Sequence, residues 1–107
     1  MTQRNESPLQ YLIKMEDLFP TEYFLSQNHP NPLMDKTVIK FCLPEEIRIK
    51  LEVFNSKEEK IITLVDEIKE AGTYQVEFRP NGFDVGIYSY RLTAGDAVIS
   101  KKMVLMK

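Results

Sequence analysis

The chain has 107 residues, a formal net charge of -2 and 28% charged side chains of mixed sign. That length holds one modest core and no second one, and the charge balance carries neither a nucleic-acid footprint nor a polybasic membrane patch. A single cysteine excludes an internal disulfide, no apolar run approaches a bilayer span, and 43% hydrophobic residues are enough to fold.

Residues 1–10 are polar, with Arg4, Asn5 and Glu6, and no apolar stretch follows a basic start. No secretory signal peptide is visible. As written, the chain is expected in the cytoplasm; as the tail of a longer precursor it would be secreted or held at the cell surface. Ser7-Pro8 suits a helix start, with Ser7 as N-cap and Pro8 in the first turn. From there Leu9, Leu12, Ile13 and Phe19 recur at helical spacing, with Tyr11, Met15 and Leu18 on a second side, until Pro20 stops the run. We expect residues 1–19 to be a partly helical extension and residues 20–107 to be the domain. Such a helix packs on its own domain or on a partner.

Tyr23-Phe24-Leu25 reads as a short first strand. In Gln27-Asn28-His29-Pro30-Asn31-Pro32-Leu33 each proline fixes its own φ and pushes the residue before it toward extended geometry, while asparagine side chains close turns. The stretch predicts a stiff corner. Thr37 to Leu43 follows, with Thr37, Ile39, Phe41 and Leu43 sharing one face; Cys42 is expected there as a small buried hydrophobe. After a turn at Pro44-Glu45-Glu46, apolar residues at Ile47, Ile49, Leu51 and Val53 alternate with Arg48, Lys50 and Glu52, as a strand with one wet face requires.

Asn55 to Glu59 is a polar connection, and Ile61, Ile62, Leu64 and Val65 make a short strand. Asp66 to Ala71 reads as an acidic linker ending at Gly72. Tyr74, Val76 and Phe78 then point inward from Thr73 to Phe78. A loop with the turn dipeptide Asn81-Gly82 leads to Gly86–Leu92, where Tyr88, Tyr90 and Leu92 share a side. Ala94-Gly95-Asp96 is a tight reversal into a last strand from Val98 to Met106. About seven short strands with turns between them and no intervening helix favour an all-β antiparallel β-sandwich; a small closed barrel is the structural alternative.

Catalytic chemistry finds little to stand on. The one histidine, His29, lies in the proline corner, and Cys42 lies on a strand with no base beside it, a poor setting for a thiolate. No phosphate loop, HExxH helix or metal-spaced Cys/His cluster is present, so neither an enzyme nor a cofactor is expected. Loop oxygens of Asp35, Asn81, Asp84 and Asp96 could make a calcium site. Tyr88, Tyr90 and Phe83 could stack on a sugar, although alternating aromatics more often pack a core. Lys101, Lys102 and Lys107 are either a contact patch or guards against edge-to-edge pairing.

Taken together, these stretches resemble the C-terminal sorting domain of type IX secretion cargo, the Por secretion tail, which is similar to the immunoglobulin-like domain of the flagellar hook-capping protein. The resemblance covers Pro20 to Lys107. It rests on Leu25-x-Gln27-Asn28-His29-Pro30-Asn31-Pro32-Leu33, Thr37-x-Ile39-x-Phe41-x-Leu43-Pro44, Leu51-x-Val53-Phe54-Asn55 and Ile61-x-x-Leu64-Val65. Ala71-Gly72-x-Tyr74-x-Val76, Gly86-Ile87-Tyr88-x-Tyr90-Arg91-Leu92, Gly95 and Lys101-Lys102-Met103-Val104-Leu105 complete the series. The family has Tyr at His29, Phe at Leu33, Asn-Pro at Met34-Asp35, Gly at Glu58 and Ser at Val85.

The resemblance implies an immunoglobulin-like sandwich and a non-catalytic recognition module. Its partner would be an outer-membrane translocon, with cargo cleaved near the start of the domain and attached to the cell surface. The signal would include Lys101 to Lys107, supported by Gly86 and Gly95, while Asn28, Pro30, Asn31, Pro32, Gly72 and Tyr88 hold the scaffold. Two other readings come from the residues alone. One is a stand-alone intracellular adaptor or inhibitor that binds a larger protein through Leu12, Ile13 and Phe19. The other is a carbohydrate-binding module.

Overall fold

A computed structural model describes residues 20–107. The helix expected between Ser7 and Phe19 lies outside the described residues. Seven strands follow in order: β1 (Phe24–Leu25), β2 (Thr37–Leu43), β3 (Ile47–Phe54), β4 (Lys60–Lys69), β5 (Gly72–Phe78), β6 (Gly86–Ala94) and β7 (Ala97–Leu105). They form two antiparallel sheets, a smaller one ordered β1-β2-β5 and a larger one ordered β4-β3-β6-β7.

Alternation sets the core. Thr37, Ile39, Phe41 and Leu43 of β2 are fully buried, and they meet Ile49, Leu51 and Val53 of β3, Tyr90 and Leu92 of β6, and Met103 and Leu105 of β7. Phe41 stacks on Tyr74 across β2 and β5, with ring centroids 5.3 Å apart. Residues of one parity line the inner face while their neighbours stay wet, so each strand's apolar set has one place to go.

Two expectations are corrected. Asp66 to Lys69 is not a linker but the second half of β4, paired with Ile47 to Lys50. The register slips twice: Leu51 faces Val65 while Glu52 faces Thr63, and Val53 faces Ile62 while Phe54 faces Lys60. Leu64 and Ile61 are thus the extra residues of two bulges, which break the alternation that marks a strand. β4 is also an edge, so charges such as Asp66, paired with Arg48 at 3.0 Å, sit within it and discourage further pairing. The second correction is Cys42. It lies on the outer face of β2, half-buried, with Sγ 3.5 Å from the Thr73 hydroxyl.

The β3–β4 connection shows what Glu58 costs. Asn55 N–H donates to the Glu59 carbonyl and Glu58 N–H to the Asn55 carbonyl, both at 3.0 Å. Glu58 has φ +66, the left-handed position that closes this kind of hairpin and that glycine fills without strain. The exposed ion pair of Glu58 with Arg91 spans 3.8 Å and returns little. Glu58→Gly is expected to stabilise the domain by about 1 kcal/mol. Chemical denaturation checks this, and a midpoint that falls instead refutes the strain argument.

Candidate recognition surface

The proline corner turns out to join the two sheets. Its first half belongs to the smaller one. Ser26 N–H donates to the Lys40 carbonyl, and His29 and Val38 exchange hydrogen bonds of 3.0 and 2.9 Å. Its second half belongs to the larger one: Leu33 pairs parallel with Leu105, donating to the Val104 carbonyl at 2.8 Å and accepting from Met106 N–H at 2.9 Å. Pro30 and Pro32 have no N–H for either ladder, so at those two positions the chain leaves one sheet for the other with no donor to satisfy. Both prolyl bonds are cis.

Side chains complete the crossing. Asn31, between the prolines, accepts from Val104 N–H through Oδ1 at 2.9 Å. Gln27 Nε2 donates to the Lys102 carbonyl at 2.6 Å and to Asn28 Oδ1 at 2.8 Å. Asn28 is 2% exposed, and its Nδ2 donates to the Thr37 hydroxyl at 3.0 Å and the Pro30 carbonyl at 3.1 Å. The Thr37 hydroxyl donates to the same carbonyl at 2.8 Å. From beneath, the Tyr90 hydroxyl donates to the Ser26 carbonyl at 2.6 Å. Residues 26–33 are therefore a strap laid along the outer edge of β7.

Burial of Tyr90 pushes its pKa up to about 12. The phenol is neutral in the folded protein over a range where the unfolded chain, near pKa 10, has already ionised. Stability contributed by this mismatch is complete below pH 10 and falls as pH rises from 10 toward 12. Thermal melts over that range are expected to show a steep loss that is shallower in Tyr90→Phe; equal slopes count against the assignment.

β7 alternates like the rest. Met103 and Leu105 are buried and Lys101 is half-buried on the same inner parity, while Ser100 and Lys102 face outward, exposed. Lys101 and Lys102 thus lie on opposite faces and are not brought to one surface; exposed Lys107 follows the strand. Gly86 sits opposite Leu105, and Gly95 turns β6 into β7 with φ +59. The two glycines bracket the hairpin that carries the terminal strand. Gly95 is the first residue of a two-residue turn, where positive φ is required and a Cβ would also meet Ile47 Cδ1 at 2.9 Å. Gly72 opens β5 opposite Leu43.

The other candidates are dispersed. Tyr90 is fully buried, so its ring cannot meet a sugar. Tyr88 donates its hydroxyl to the Asp84 carbonyl at 2.6 Å, and its ring packs on Phe83, which packs on Phe78. Among the described residues no cluster of three or more His, Cys, Asp or Glu side chains could hold a metal ion. Among them, too, no helix is long and apolar enough to cross a membrane. Leu12, Ile13 and Phe19, the adaptor anchors, lie outside the described residues.

One feature escaped the sequence reading. Ile87 faces Val104 on the outer side of the larger sheet, and Ile87 is 55% exposed. Met34, beside Leu33 on the strap, and Met106, beside Leu105, are also exposed. An apolar Ile87 on the opposite parity from Tyr88 and Tyr90 was the available clue. A family model described as a secretion system C-terminal sorting domain matches residues 27–106. No curated protein matches the chain.

Proposed function

Since the chain belongs to the secretion system C-terminal sorting domain family, we propose that residues 20–107 are a non-catalytic sorting module. It is recognised by the type IX machinery and directs attached cargo to the cell surface or beyond. The observation that carries this reading is the strap. The Gln27–Leu33 motif and the Lys102–Met106 strand stand at the two ends of the matched region, and they are bonded to each other. A terminal strand tied in this way is offered to a partner in one fixed conformation, which lowers the entropy cost of recognition.

The strand order β1-β2-β5 facing β4-β3-β6-β7 supports the finer likeness to immunoglobulin-like domains, including that of the hook-capping protein. A recognition role without catalysis is supported by the placement of His29 opposite Val38, four residues along β2 from Cys42. That separation is about 13 Å, too far for a thiolate–imidazole pair.

The test is a fusion of a signal peptide, a reporter and the full 107-residue chain, expressed in a bacterium with a working type IX system. Reporter at the cell surface or in the medium is expected. Reporter retained in the periplasm refutes the sorting role.

A further inference from the structure

A β-strand offers a partner two edges and two faces. For the terminal part of β7, three of these four are taken. One edge is paired with β6 from Gly86 to Ser89. The other edge is occupied by the strap: Gln27 takes the Lys102 carbonyl, Asn31 takes Val104 N–H, and Leu33 takes the Val104 carbonyl and Met106 N–H. The inner face is closed, with Met103 1% and Leu105 4% exposed. Strand addition needs a row of free backbone groups, and between Lys102 and Met106 the strap has used them.

Only the outer face is left, and around Ile87 it carries exposed apolar side chains. Ile87 sits opposite Val104, with Met106 and Met34 beyond them; Ile87 is 55%, Met34 62% and Met106 45% exposed. Elsewhere the same face carries Arg48, Lys50, Glu52 and Arg91, with Phe54 beneath Arg91 and the exposed Ile68 and Val98 set apart from the Ile87 cluster. Lys102 lies on this face opposite Ser89 and Lys107 follows it. A recess of about 190 Å³ opens beside the cluster, lined in part by Asn55, Ser56, Ile87, Ser89 and Lys102.

Resting on the sorting role proposed above, we infer that the secretion machinery reads this module through the outer face of β7 and not by adding a strand to its edge. The occupant is a protein surface with an apolar pocket for Ile87, Val104 and Met106 and a carboxylate rim for Lys102 and Lys107. The apolar centre supplies most of the binding energy and the lysine rim supplies steering and register.

The experiment uses the same reporter fusion with the full chain. Ile87→Ser and Met106→Ser each remove an exposed apolar side chain and leave the core alone. Export is expected to fall at least tenfold in each, with thermal melts of the purified variants close to the parent. Ser100→Thr, on the same face but away from the cluster, is expected to export normally. Gln27→Ala, which frees the Lys102 carbonyl, is expected to bring no gain in export. If a serine variant fails to fold, Lys102→Glu takes its place, since it removes no packed surface.

Serine variants that fold and export like the parent overturn the inference, as does a gain of export in Gln27→Ala, which would mark the edge as the docking element. A parent chain that sediments as a dimer, with Ile87→Ser monomeric and fully exported, assigns the face to a second copy and also overturns it. Failure of the unmodified fusion to leave the periplasm is a different result: it refutes the sorting role itself.

Discussion

Replacing Asn28 with alanine is expected to destabilise the domain by about 2–3 kcal/mol, because it removes three hydrogen bonds centred on one buried amide at once. The Asn28 amide is 2% exposed and gives both its N–H groups to the Thr37 hydroxyl and the Pro30 carbonyl, while its oxygen accepts from Gln27. Alanine leaves the Thr37 hydroxyl without its donor and frees Gln27 Nε2 from one of its two acceptors. No water replaces the amide unless the corner opens, and opening it releases Leu33, which is 1% exposed, from the core. For a domain of this size the loss corresponds to a fall of roughly 10–20 °C in melting temperature. Asn28→Asp is expected to do comparable harm at neutral pH, since a carboxylate has no N–H for either acceptor. Asn31→Ala removes one exposed bond, to Val104 N–H, and should cost only about 0.5–1.5 kcal/mol. Calorimetry on the three variants ranks them. A melting temperature for Asn28→Ala within a few degrees of the parent would show that the corner does not depend on its buried amide.

The same corner shows where sequence reading stops. Its local character followed from residue types: two prolines and two asparagines cannot continue a helix or a ladder, and a turn is what remains. Its partner did not follow. Gln27 meets Lys102 and Asn31 meets Val104, contacts 75 and 73 residues apart that leave no periodicity to read. β2 and β3 were legible because each has one fully buried face, so composition and burial alternate together. β4 was only half legible. Its doublets Ile61-Ile62 and Leu64-Val65 each contain a bulged residue, and its second half is a charged edge that reads as a linker. Cys42 was placed in the core by its chemistry, although the alternation of Thr37, Ile39, Phe41 and Leu43 already put it outside. The apolar outer face at Ile87 was visible as one residue of the wrong parity, yet its extent depended on knowing that Val104 pairs with it and that Met34 and Met106 follow the Leu33–Leu105 bridge.

Deleting Lys102 to Lys107 is expected to abolish cooperative folding and not merely to remove a targeting signal. The segment contributes Met103 and Leu105, both buried, to the common core. Losing such side chains costs roughly 2–5 kcal/mol each. The deletion also removes the four β6–β7 pairs from Gly86–Leu105 to Ser89–Lys102. It removes the partner of the strap's second half, so Leu33, Asn31 and Gln27 lose the hydrogen bonds that hold them to the larger sheet. The sum approaches the ~5–15 kcal/mol that stabilises a typical small domain. Far-ultraviolet circular dichroism and a thermal melt of the purified truncation should show no sigmoidal transition, whereas removal of exposed Lys107 alone should change stability by no more than about 0.5 kcal/mol. A truncated chain that melts cooperatively near the parent temperature would mean that β7 is an appendage and the strap a local turn. If the truncation unfolds as expected, loss of export on deleting the terminal strand carries no information about recognition, because an unfolded module presents no surface at all. Recognition is then separable from folding through outward residues such as Ile87, Lys102 and Met106, which the core does not need and a partner can reach.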